Sequence, residues 1–268
     1  MTSVAFGTYN GAETEKTVEL FLYFYVSGYA HGDDLMAEAA QTRLQVIKES
    51  SWYDPEKHKV HCPPIQDIAE VITIVSNYVN QYGGESKAFT REIGVFSHSG
   101  LDGPIGTVQT SVEPEPVHNS QMLMPGWEQI KFNWVSYNAK FVVYGCNSAN
   151  ENKPDKIFAK NLSDLANFKD VAVWGQSTSS FPSFVPDYRV TSVARSMHMG
   201  WNVGKTYMVG GNAGRGKVAI CMAGSADGTN VDHIKSEHDK ANVMNCYKNG
   251  SKINSIHQGI FHDHRKNS

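Results

Sequence analysis

An α/β fold is what this sequence predicts, on three observations. Short apolar runs rich in β-branched and aromatic residues recur at 17–26, 93–97, 140–144 and 171–176, too short for helices and suited to buried strands. Between them lie stretches with apolar positions three and four residues apart, the period of a helix with one buried face. Two of the runs stop abruptly, one at a histidine and one at Gly-Cys, as buried strands do on reaching the rim of a sheet. A chain of 268 residues has ample length for a proper core and fits one large α/β domain, with or without appendages.

The first strand is expected over 17–26, ending at Ser27-Gly28. A helix follows, with Asp33 or Asp34 as its cap and apolar spacing at Leu35, Ala39 and Leu44. The loop between them, 29–34, contains His31, Asp33 and Asp34, but no further ligand stands nearby, so it reads as a turn and cap and not as a metal site. Lys59-Val60-His61-Cys62 before two prolines suits a short strand, with Cys62 structural. Ile68, Val71, Ile72, Val75 and Tyr78 give a helix within 65–82, stopped by Gly83-Gly84. The strand 93–97 comes next. Residues 107–137 are the least regular part and read as a hairpin or lid. Met122, Met124 and Trp127 there either line a cleft or fill the core under a long loop, the commoner role. After the strand 140–144, residues 157–162 suit a helix and 171–176 the next strand.

Composition narrows the function. A formal charge of −3 and a pI near 6.4 give no global pull toward nucleic acid or anionic membrane. No apolar run reaches the length of a transmembrane helix, and the first residues lack the pattern of a signal peptide. Cys62, Cys146, Cys221 and Cys246 contain no CxxC pair, which argues against a zinc site or a disulfide framework and for a reducing compartment. The expected location is the cytoplasm, or outside the cell as an effector exported without a signal peptide. No cofactor and no bound metal are expected. The oligomeric state is not legible.

The chemistry gathers at two strand tips. One strand runs into Ser97-His98-Ser99-Gly100, the other into Gly145-Cys146-Asn147-Ser148-Ala149, and His98 and Cys146 are 48 residues apart. An imidazole within hydrogen-bond reach of a thiol shifts it toward thiolate or takes its proton as attack begins. Loops at sheet ends are where open α/β folds put their sites. The glycine-rich loop 99–106 is either an ordinary turn or a tight return that presents N–H groups beside a reacting carbonyl.

An apolar block ending in His-Ser-Gly, followed some fifty residues later by one ending in Gly-Cys-Asn-Ser-Ala, resembles the caspase-like cysteine peptidases. The group includes caspases, gingipains, clostripain, separase, toxin self-processing domains and the bacterial CHAT domains. The resemblance covers about residues 17–180, extending through the helix 157–162 and the strand carrying Trp174. Its specific part is the two tips, and it departs from the usual pattern in that Ser99 intervenes between His98 and glycine. It implies a three-layer sandwich with a mostly parallel sheet flanked by helices. It also implies a cysteine endopeptidase acting on peptide or protein substrates, with His98 as general base and acid and Cys146 as nucleophile. The oxyanion donors would be Cys146 with Gly100 or Ser99. Gln176, Ser177 and Asp187 in the loop after the next strand become candidates to set specificity, and Asp187 or Asp102 facing the pocket would favour a basic P1 residue. A bacterial toxin or toxin-processing domain is the biological role expected from it. On this reading residues 1–224 form the caspase-like domain, and 225–268 a polar, His-containing C-terminal extension packed on it or trailing from it.

Two other readings stand beside this one. Ser99 after a strand loosely resembles a nucleophile elbow, though the flanking glycines are absent, and would make the chain a serine hydrolase. A caspase-like scaffold without turnover would be a binding module. Gly211 to Lys217 has the spacing of a phosphate-binding loop, but Val218 stands where a Ser or Thr is needed and the context is strand, so a hairpin turn over 205–222 is expected. His262-Asp263-His264 lies in what reads as a solvated tail.

Overall fold

Side chains that alternate between two buried faces build the centre of this protein. In the computed structural model, which describes residues 16–29, 33–108, 120–177, 180–182, 190–193, 196–202, 208–210 and 243–257, β1 (Val18–Val26) sends Leu20, Leu22, Phe24 and Val26 into one core cluster and Phe21 and Tyr23 into another. Strands buried on both faces read as continuous apolar runs. That is why β1 was legible from the sequence.

The chain continues through α1 (Asp33–Lys48), the short strands β2 (His58–His61) and β3 (Pro64–Ile65), α2 (Ile68–Gln81) and β4 (Ala88–Phe96). A tight hairpin follows, β5 (Ser99–Gly100) with β6 (Gly103–Pro104), then α3 (Met124–Glu128), β7 (Lys140–Tyr144), α4 (Phe158–Ser163) and β8 (Ala172–Gln176). Beyond these come β9 (Ser180–Pro182), β10 (Val190–Val193), β11 (Ser196–Asn202), β12 (Met208–Gly210), β13 (Val243–Lys248) and β14 (Ser251–His257).

The main sheet has eight strands in the order β14-β13-β8-β7-β4-β1-β2, with β3 also on β1. Strands β2, β3, β1, β4, β7 and β8 are parallel, and β13 and β14 are antiparallel additions beyond β8. One face is covered by α1, through Met36, Ala39, Ala40, Val46 and Ile47. The other is covered by α2, α3 and α4, through residues such as Val71, Val75, Trp127 and Phe158. The protein is thus a mixed α/β structure whose mostly parallel central sheet is flanked by helices.

Local sequence accounts for the elements. In α2, Ile68, Val71, Val75 and Val79 are buried, the three-and-four spacing of one helix face. Asp67 caps it by accepting from Glu70 N at 2.9 Å. At its other end Gly83 and Gly84 have φ +104° and +80°, and Gly84 N donates to Val79 O at 2.9 Å, a glycine-terminated helix end. Met122 and Trp127 are buried in the core, so of the two roles open to them they take packing.

Residues 243–257, expected to belong to a polar extension after residue 224, supply two strands of the main sheet. β13 is short and buried but interrupted by the polar Asn245, and β14 escapes a pattern search because Ser251 to Ser255 are all exposed. An edge strand with solvated side chains carries no apolar run. Of the hairpin expected over 205–222, β12 is described and pairs with β9. Residues 211–222, His31, the segment 109–119 and the His262-Asp263-His264 tail lie outside the described residues.

Candidate active site at two strand tips

β4 and β7 are parallel neighbours, and Phe96 and Tyr144, their last residues, are register partners. Both strands therefore end at the same level on the same edge of the sheet. His98 follows two residues after Phe96, and Cys146 two after Tyr144. The tips also touch beyond the strands. A Cβ added at Gly145 would collide with the Ser99 Cβ and lie 2.9 Å from Ser97 O. The residues on either side of His98 thus press against the residue before Cys146, and only glycine permits that approach. His98 is exposed and Cys146 partly so.

The turn that carries Cys146 is held by the strands beyond it. Ser148 is fully buried, and its hydroxyl donates to Gly145 O at 3.1 Å and accepts from Gln176 N at 3.0 Å. Ala149 N donates to Gln176 O at 2.8 Å, and Asn245 Nδ2 donates to Ala149 O at 3.1 Å. Asn147 adopts φ +58°, the left-handed conformation that Asn tolerates better than most residues. Neither Ser148 nor Asn245 emerged as a site residue from the sequence. Ser148 is detectable only as the serine three after Gly145, while Asn245 has no signal because its strand reads as tail.

The histidine side is a hairpin. Ser99 pairs with Pro104 and Gly100 with Gly103, and Ile105 N donates to His98 O at 2.9 Å. Ser99, an expected oxyanion donor along with Gly100, donates its hydroxyl to Gly100 O at 3.2 Å. Because β4 leads into this hairpin and not into a helix, Ser99 lacks the strand-to-helix turn of a nucleophile elbow. Tyr29, just past β1, accepts a hydrogen bond from His98 N at 3.2 Å and meets the imidazole edge-on, with ring centroids 4.6 Å apart.

Of the expected specificity residues, Asp102, Gln176 and Ser177 are described. Asp102, at the hairpin turn, is ion-paired with Lys156 Nζ at 3.6 Å. Both line a cleft of about 110 Å³, with Leu101, Met124 and Phe158 among its walls, between the loop after His98 and the segment after Cys146. Gln176 is buried and acts through its backbone on the Cys146 turn. Ser177 follows it, partly buried. Asp187 lies outside the described residues.

Among the described residues, no group of three or more metal-ligating side chains occurs, and no helix is long and apolar enough to cross a membrane. None of the three described cysteines is in a disulfide. Burial pushes the Cys62 and Cys246 thiols up to about 12.

No family model matches the chain, and no curated protein matches it. Among solved structures it is similar to a secreted C11 cysteine protease from Bacteroides thetaiotaomicron, determined with an irreversible peptide inhibitor. The identity is 9%, the TM-score 0.40, and the match covers 60% of this chain and 49% of that one. The chain therefore spans about half the length of that protease.

Proposed function

We propose that this chain is a cysteine peptidase of caspase-like type, with Cys146 as nucleophile and His98 as general base and acid. The observation that carries the reading is the contact of Gly145 with Ser97 and Ser99. It brings the backbones flanking a histidine and a cysteine together at the carboxyl edge of two parallel strands, where α/β sheets hold their sites.

In this reaction the His98 imidazole takes the Cys146 proton, and the thiolate attacks the scissile carbonyl carbon. The carbonyl oxygen gains the charge and is met by backbone N–H groups, with Cys146 and either Gly100 or Ser99 in that role. His98 then returns the proton to the leaving amine. Water, deprotonated by His98, hydrolyses the thioester and restores both residues. Asp102 is already paired with Lys156 through Oδ1, so a basic P1 side chain reaching it would share the carboxylate with the lysine or displace it. Ser177 and Asp187, following β8, are the other candidates for side-chain selection. A role in toxin action or processing rests on the sequence resemblance alone.

The test is digestion of a mixed peptide library, read by mass spectrometry, with the wild-type chain, Cys146→Ala and His98→Ala. Cleavage is expected for wild type, with both variants reduced by about 10²-fold or more while their circular dichroism is unchanged. Full activity in either variant overturns the assignment. A wild-type chain that folds, binds peptide and cleaves nothing is instead a binding module.

A further inference from the structure

We infer that Tyr29 is a positioning residue for His98, its hydroxyl being built into the hairpin that carries the histidine. The inference rests on the dyad reading above. With Ser99 opposite Pro104 and Gly100 opposite Gly103, the next rung of the hairpin is His98 opposite Ile105. Antiparallel partners on a hydrogen-bonded rung exchange both N–H···O bonds. Here one is made, from Ile105 N to His98 O at 2.9 Å. The other is replaced: His98 N donates to the Tyr29 hydroxyl at 3.2 Å, and that hydroxyl donates to Ile105 O. The phenol stands where a backbone bond would be and holds the rung open, with its ring 4.6 Å from the imidazole at 69°.

The segment bearing Tyr29 is itself pinned. Ser27 N donates to Ile65 O at 2.9 Å, and the Thr107 hydroxyl donates to Ser27 O at 2.7 Å. Gly28 has φ +90°, and a Cβ there would lie 3.1 Å from Gln66 Nε2 and 3.2 Å from Thr107 Oγ1. β1 is also where the order of the sheet reverses, since the chain passes from β1 to β2 on one side and returns to β4 on the other. A crevice at the carboxyl ends opens at such a point. Tyr29 crosses it from the β1 side and fixes the first backbone atom of His98. The imidazole then projects from a backbone held by three strand tips, those of β1, β4 and β7.

A base that must stay within hydrogen-bond reach of a thiol loses about 10²-fold for a misplacement of ~1 Å. Tyr29→Phe keeps the ring contact and removes only the hydroxyl. The experiment measures iodoacetamide alkylation of Cys146 by mass spectrometry at pH 6.5 and at pH 9.5, where an ordinary thiol of pKa ~8.5 ionises without help. Wild type, Tyr29→Phe and His98→Ala are compared. For Tyr29→Phe a fall of roughly 10-fold at pH 6.5 is expected, with the pH 9.5 rate within about twofold of wild type. An equal loss at both pH values means general disturbance of the loop and overturns the positioning role. So does an unchanged rate at pH 6.5 when His98→Ala is slow. If His98→Ala itself matches wild type at pH 6.5, the dyad reading fails and this inference with it. Should Tyr29→Phe not fold, Thr107→Val, which loosens the tip of β1, takes its place. A smaller loss confined to pH 6.5 is then expected, and none, or an equal loss at both pH values, overturns the role.

Discussion

Phe96 and Tyr144 stack ring on ring, 4.1 Å between centroids and 12° between planes, as register partners across β4 and β7. The pair is the last fixed layer before the two tips. It lies on the α1 face of the sheet, where Gly94 makes room for it: a Cβ at Gly94 would stand 2.7 Å from Tyr23 Cδ1 and 3.1 Å from Tyr144 Cε2. Any slip of one strand against the other would separate the rings and also move Cys146 away from His98. Tyr144→Ala is therefore expected to cost about 3–5 kcal/mol in denaturant unfolding and to slow Cys146 alkylation near neutral pH. A variant that loses the stability but keeps the thiol rate would show that the stack does not set the alignment.

Close approach of the tips leads to a contrast between two glycines. Gly145→Ala puts a methyl against Ser99 Cβ and Ser97 O, whereas a Cβ at Gly100 meets nothing within 4 Å. Overpacking costs about 1–3 kcal/mol, and here the strain falls on the tips themselves. Gly145→Ala is expected to abolish most peptide cleavage, and Gly100→Ala, which keeps its N–H, to retain it. Equal activities in the two variants would count against the packed arrangement of the tips.

The same face of the sheet buries an ion pair. Arg43 on α1 holds the Glu92 carboxylate of β4 through Nη2 at 2.6 Å and Nε at 3.1 Å, both side chains being almost wholly buried. Burial alone would raise the Glu92 carboxyl, but the Arg43 guanidinium outweighs it and the carboxyl sits below its ordinary value. The unfolded chain then takes up this proton at higher pH than the folded one. The contribution to stability is full above the unfolded value of ~4.3 and is lost as pH falls through the lower folded value. Glu92→Gln is expected to destabilise by about 3–5 kcal/mol at pH 7, because Arg43 is left buried without its counter-charge. Between pH 4.5 and 2.5 the melting temperature of this variant should fall less steeply than that of wild type. Parallel curves would show that Glu92 does not titrate with folding.

What could be read from the sequence was decided by burial. The strands ending at His98 and Cys146 are buried on both faces, so their apolar runs and abrupt ends stand out. β4 begins at Ala88, earlier than the expected 93–97, because Thr90 and Glu92 are polar residues satisfied inside the structure: Glu92 by Arg43, Thr90 through its hydroxyl, which donates to Phe132 O at 2.5 Å. Such partners are distant in sequence and leave no local trace. β14 was hidden for the opposite reason, since an edge strand can be polar along its length, whereas in the buried β13 the polar Asn245, bonded to the Ala149 carbonyl, breaks up the apolar run. Tyr29 lay in a segment legible only as a turn before a helix, and its bond to His98 spans 69 residues.

The two other described thiols give a test of selectivity. Cys62 beside the edge strand and Cys246 in β13 are each raised by burial to about 12. A thiol at that value is thiolate in roughly one molecule in 10⁴ at pH 8, against roughly a quarter for an ordinary cysteine, and the thiolate is the reacting form. Cys246 is also without solvent exposure, whereas Cys146 is partly exposed at the sheet edge. Brief treatment of the native protein with iodoacetamide at pH 7–8 should therefore label Cys146 well before Cys62 or Cys246, with each site read separately by peptide mass spectrometry. In concentrated urea the three should label at similar rates, since burial is what separates them. Native labelling of Cys246 as fast as that of Cys146 would mean that β13 opens readily from β8. Asn245 and its hold on the Ala149 carbonyl would then be no fixed support for the turn that carries Cys146.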